Sequence, residues 1–136
     1  MAKKTAYTQK TIKELKARGC VVGIVERYNM FAGPHGIRQD LFGFIDLIAL
    51  NVQESRLIGV QSFGQDYAPH YRKVTGECRE RALAWLRCGG EIELWGWRKM
   101  KVIKKNGKKG KAEVWTPRVG SITAADFVTG NERVFG

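Results

Sequence analysis

The stretch Arg38-Gln39-Asp40-Leu41-Phe42-Gly43-Phe44-Ile45-Asp46-Leu47-Ile48-Ala49-Leu50 places one carboxylate, Asp46, inside an otherwise apolar run. A second β-like run, Leu57-Ile58-Gly59-Val60-Gln61-Ser62-Phe63, follows a short turn and carries a lone amide at the matching depth. Strand side chains alternate with period two. On that period Phe42, Phe44, Asp46, Ile48 and Leu50 share a face of the first run, and Leu57, Gly59, Gln61 and Phe63 share a face of the second. A charge on such a face must be hydrogen-bonded, paired or metal-bound, because a bare buried charge is strongly unfavourable. Two adjacent strands, each presenting one oxygen ligand, suit a hard divalent cation.

Charge distribution adds a partner to this picture. The 136 residues carry 24 basic and 13 acidic side chains, a net charge of +11, which points to a polyanion. Between positions 98 and 118 stand Arg98, Lys99, Lys101, Lys104, Lys105, Lys108, Lys109, Lys111 and Arg118 against Glu113. The first 18 residues hold six basic groups against Glu14. From Arg38 to His70 the balance reverses, with Asp40, Asp46, Glu54 and Asp66 against Arg38 and Arg56. An acidic centre between basic flanks suits a metal site set in a nucleic-acid footprint. Lys104, Lys105, Lys108 and Lys109 are the expected phosphate contacts.

The length suits a single domain over 1–136, and the 43% hydrophobic content argues for a packed core. Cys20, Cys78 and Cys88 are odd in number and lack a CxxC spacing, so buried reduced thiols are expected rather than a disulfide framework or zinc site. Met-Ala-Lys-Lys-Thr-Ala-Tyr-Thr has no apolar stretch, and no run approaches the length of a membrane span. The expected location is the cytoplasm, with no membrane partner.

Periodicity predicts a helix over 8–18, capped by Thr8, stapled by Tyr7 and Ile12, and closed by a left-handed Gly19. Residues 20–27 read as a strand, followed by a Gly/Pro loop and the two runs above. A second helix is expected over 71–88, interrupted at Gly76, burying Cys78, Ala82, Trp85 and Leu86. Residues 91–97 alternate as a strand; Asn106-Gly107 marks a hairpin turn, and 111–119 pairs back. Ser121 is the expected cap of a short turn at 122–127, and the tail beyond is expected to be loose. Asp40 is assigned to turn capping, and His35 and His70 to loops. The fold class is therefore α/β, a sandwich with a central mixed sheet flanked by helices in the order α-β-β-β-α-β-β, carrying a basic hairpin at 98–118.

This order resembles the PD-(D/E)XK nuclease superfamily, with a restriction-endonuclease-like fold. The likeness covers about residues 8–100 and is greatest to small Holliday-junction-resolvase-like and phage or bacterial members. Its most specific parts are Asp-Leu-Phe-Gly-Phe-Ile-Asp-Leu-Ile-Ala-Leu at 40–50 and Gly-Val-Gln-Ser at 59–62. The resemblance makes Asp46 the metal-binding aspartate. Gln61 stands where the family has its second acidic ligand, and Ser62 where a backbone carbonyl joins the coordination. Phe63 replaces the family lysine, and Lys73 on the following helix is the implied substitute. Glu26 would restore the missing carboxylate, with Glu14 as the competing candidate.

The implied activity is Mg²⁺- or Mn²⁺-dependent hydrolysis of DNA phosphodiester bonds, on branched or structured DNA. Asp46, Gln61 and Glu26 would hold the metal, Lys73 would offset developing charge, and Arg38 and Arg72 would grip phosphates. The implied setting is a bacterial cell or a phage-infected host. A resolvase would act as a homodimer, with the first helix and the Trp-rich strands as the expected interface. Two other readings stand beside this one. The first is a DNA-binding module that keeps the fold without catalysis, favoured by Gln61 and Phe63; the second is a basic RNA-binding or ribosome-associated protein.

Overall fold

The computed structural model describes residues 2–127, and their side chains from residue 6 onward. Helix α1 (Ala2–Ala17) leads into strand β1 (Val21–Ile24), a small hairpin of β2 (Arg27–Asn29) and β3 (Ile37–Gln39), and then β4 (Leu47–Asn51) and β5 (Arg56–Gly64). Helix α2 (Tyr67–Arg72) passes through a π-helical turn, Lys73–Glu77, into α3 (Arg79–Arg87). Strands β6 (Glu91–Ile103) and β7 (Lys109–Ile122) follow, and a 3₁₀ turn, Ala124–Phe127, closes the described chain.

Five strands form one sheet in the order β1-β4-β5-β6-β7, with β2 and β3 as a separate pair. The β5–β6 pairing is parallel and its neighbours are antiparallel, so the sheet is mixed, as expected. A parallel pair requires a crossover, and α2, the π turn and α3 supply it.

Alternation along the strands divides the core in two. Leu47, Ala49, Ile58, Val60, Trp95 and Trp97 pack under Leu15 and Ile12 of α1 on one face. Ile45, Phe63, Ile92, Leu94 and Ile122 pack with Val74, Cys78 and Ala82 on the other. Period-two burial of both faces is what a sheet between helices demands. Gly19 closes α1 as expected, at φ 87°, with Cys20 N–H donating to Leu15 O and Gly19 N–H to Lys16 O.

Several expectations are corrected. The run at 40–50 is not one strand: Leu41 bridges to Ile45 around a tight turn, and β4 starts only at Leu47. Phe42 at φ 57° and Gly43 at φ 85° make that turn, so Phe42 is exposed instead of sharing a face with Phe44. Helix α1 starts at Ala2, so Thr8 lies within it, buried, and caps nothing. The β2–β3 pair adds two strands to the expected order. Thr123 N–H donates to Asp126 Oδ2 at 2.7 Å to hold the last turn, in place of a Ser121 cap. Cys78 is buried and Cys20 half-buried, but Cys88 is exposed. Trp95 and Trp97 are buried beneath α1, and of the tryptophans on β6 and β7 Trp115 is the exposed one. The tail expected to be loose lies outside the described residues. No helix among those residues is long and apolar enough to cross a membrane.

Candidate functional site

Asp-Leu-Phe-Gly-Phe-Ile-Asp, residues 40–46, is nearly palindromic about Gly43. The palindrome folds on itself: Leu41 N–H and Ile45 O are 2.9 Å apart, and the flanking Asp40 and Asp46 come side by side. Backbone bonds fix Asp46 from both sides. Its N–H donates to Val60 O at 2.8 Å, and its carbonyl accepts from Val25 N–H at 3.0 Å and Glu26 N–H at 3.1 Å. The last bond brings Glu26, just beyond β1, against the same point.

Carboxylate oxygens of Glu26, Asp40 and Asp46 all lie within 4.8 Å of one another. Asp46 is fully buried, and the side chains of Glu26 and Asp40 are each only 6% exposed. Two like charges at such a distance repel by about 3 kcal/mol in an effective dielectric of roughly 20. Arg38 Nη1 donates to Glu26 Oε1 at 3.4 Å, and Lys73 Nζ lies 3.9 Å from Asp40 Oδ2, and both contacts offset that repulsion. Ser62 N–H donates to Asp46 Oδ2 at 2.9 Å. Three converging carboxylates are the donor set a hard divalent cation takes, so Mg²⁺ or Mn²⁺ fits these residues.

Gln61 is turned differently from the sequence expectation. Its Nε2 donates to Asp40 Oδ2 at 3.3 Å and its Oε1 lies 3.2 Å from His70 Nδ1. The His70 ring stacks on Phe63 with centroids 4.0 Å apart and planes 7° from parallel. Gln61 therefore fixes a carboxylate to a helix, and its oxygen is engaged by a histidine. Ser62 offers its amide to Asp46, where its carbonyl was the expected contribution.

Of the residues singled out in the sequence, the fold brings Asp46, Glu26, Lys73 and Arg38 together, with Gln61 one contact away. Arg72, the last residue of α2, is exposed. Glu14 is instead bound to Arg18 one helical turn along α1. Lys104, Lys105, Lys108 and Lys109 stand exposed at the far end of the β6–β7 hairpin. Sequence reasoning missed Asp40 as a cluster member and His70 as its support. The near-palindrome was the signal for Asp40; nothing local marks His70, whose partners Gln61 and Phe63 lie on β5.

Pairing of β5 with β6 ends at Gly64 opposite Trp97, whereas β6 and β7 continue as a pair to Ile103 opposite Lys109. Beyond Trp97 the hairpin is thus a two-stranded arm, exposed from Lys99 to Lys109. Its turn is the expected one, with Gly107 at φ 84° and Gly107 N–H donating to Lys104 O at 2.9 Å.

No protein-family model matches this chain, and neither does any curated protein or solved structure.

Proposed function

We propose that this protein is a metal-dependent endonuclease that hydrolyses DNA phosphodiester bonds, with Glu26, Asp40 and Asp46 as the metal-holding carboxylates. The observation that carries the reading is their convergence within 4.8 Å at a buried point of a protein with net charge +11. A bound Mg²⁺ would supply Lewis acidity toward a phosphoryl oxygen and a more acidic bound water. The remaining chemistry falls to the chain itself. Lys73, half-exposed and 3.9 Å from Asp40, would offset negative charge growing on a phosphate. Ser62 N–H holds the Asp46 carboxylate in one orientation, and Gln61 does the same for Asp40. The basic arm supplies duplex affinity by neutralising phosphates. This set of roles departs from the PD-(D/E)XK resemblance in two residues: Asp40 takes the ligand position that the resemblance gives to Gln61, and Ser62 acts through its amide instead of its carbonyl.

A second reading, a DNA-binding module without catalysis, is favoured by Gln61, whose oxygen faces His70 and not the carboxylates' common point. One pair of measurements separates the two. Calorimetry with Mn²⁺ and cleavage of flap, junction, single-stranded and duplex DNA are run on wild type and Asp46→Asn, which keeps an oxygen for Ser62 N–H. Binding heat that Asp46→Asn abolishes, with cleavage falling by about two to three orders of magnitude, supports the endonuclease. Equal heats from both proteins remove the metal site, and DNA binding with no cleavage by wild type leaves the module.

A further inference from the structure

We infer that the root of the arm is a subsite for an unpaired nucleotide of DNA, its base against Trp115 and its phosphate on Lys10 and Lys99. This rests on the DNA reading above, but on none of its catalytic part. Trp115 of β7 stands opposite Lys99 of β6 and is 37% exposed. Tyr7 of α1 packs against it edge-on, with centroids 5.6 Å apart and planes at 69°. Two ammonium groups converge on the same indole, Lys10 Nζ at 5.3 Å and Lys99 Nζ at 5.4 Å from the ring. The space between them is a cavity of about 470 Å³ lined by Ala6, Tyr7, Lys10, Gln65, Lys99 and Trp115.

Among the described residues no carboxylate forms an ion pair with either lysine, and the electron-rich indole is the counterpart that both cations meet. An anion completes the arrangement, and its chemistry is narrowed by the aromatic wall. Inorganic phosphate would use the lysines and leave Trp115 idle, whereas a nucleotide uses both, because any base has a π-face to lay on an aromatic ring. In a duplex that face is already stacked on its neighbours, so the base must be unpaired.

The test is metal-free binding, read by fluorescence anisotropy in EDTA with labelled oligo-dT and a duplex of equal length. Trp115→Leu is expected to weaken oligo-dT binding about tenfold and to leave the duplex within about twofold, while Trp115→Phe retains most of the affinity. Lys10→Gln with Lys99→Gln is expected to lower the salt slope for oligo-dT by about 0.7, the value for one phosphate on a single strand. Unchanged oligo-dT affinity in Trp115→Leu, or an equal loss on both ligands, overturns the subsite. Should Trp115→Leu fail to fold, the double lysine variant decides, and an unchanged salt slope overturns the subsite equally. Cleavage and metal heats enter nowhere in this experiment, so loss of the endonuclease reading leaves its outcome intact.

Discussion

The carboxylate cluster and the basic arm lie toward the same end of one sheet and are built on opposite terms. Every cluster residue is held by others: Asp46 by β1 and β5, Asp40 by Gln61 and Lys73, Glu26 by Arg38. The arm beyond its root, where Trp115 opposite Lys99 meets Tyr7 of α1, holds itself up through the pairing of its two strands and is exposed from Lys99 to Lys109. Substitutions therefore act differently in the two regions. In the cluster a changed side chain disturbs several neighbours at once. At the tip of the arm a changed lysine removes one charge and little else.

The largest expected effect tests the cluster. Lys73→Met should lower cleavage by about two orders of magnitude while DNA affinity in Ca²⁺ stays nearly constant, because a positioned cation acts mainly on the transition state. Arg72→Met, one residue earlier and about 100° around the helix, should weaken binding more than turnover. If Lys73→Met cuts as fast as wild type, the division of labour between cluster and arm is wrong.

A smaller effect is expected from the arm. Replacing Lys104, Lys105, Lys108 and Lys109 by Ala should weaken duplex binding for all sequences alike and reduce the salt slope by roughly 3 to 4 if each lysine meets one phosphate. The melting temperature should stay close to that of wild type. An unchanged slope would make the arm a solubilising ribbon.

The smallest effect concerns neither region, and so calibrates both. The Tyr71 hydroxyl donates to Asp126 at 2.8 Å, and that bond, with burial, raises its pKa above the usual phenol value. A group whose pKa is raised by folding stabilises the fold below its unfolded value and loses that contribution as pH climbs through the folded one. Melting temperature should therefore fall above about pH 10, and Tyr71→Phe should fall less steeply over that range. Parallel curves would show that the bond contributes nothing.

How far the sequence foretold this arrangement differs by element. Strands β5 and β6 were legible because both faces of each are covered and their alternation is uninterrupted. The arm beyond Trp97 was read only as a basic hairpin, since Lys99-Met100-Lys101-Val102-Ile103 is exposed and no core imposes a pattern on it. Strands β2 and β3 escaped notice because three-residue strands carry no period. The run at 40–50 misled because apolar composition resembles a strand whether or not the backbone turns; the positive φ of Phe42 is set by the bridge around it. In the site, Asp46, Glu26 and Lys73 were named from the sequence. Asp40 was named as a turn residue, and it is one, with Gly43 N–H bound to its carbonyl while its carboxylate joins the cluster. One residue served two purposes, and only the local one was visible in the chain.

The π-helical turn joins these themes. Cys78 N–H reaches back five residues to Lys73 O at 2.9 Å, so this segment holds one residue more than an α-helix would. That extra residue offsets the angular phase of the chain before it from the phase after it. Lys73 can face Asp40 while Cys78 and Ala82 face the core, two demands that one unbroken α-helix would have to satisfy with a single phase. For descendants of this sequence, losing one residue between Val74 and Glu77 would be more consequential than most replacements there. It would straighten the helix and turn the lysine about 100° from the carboxylates without altering any residue that touches them.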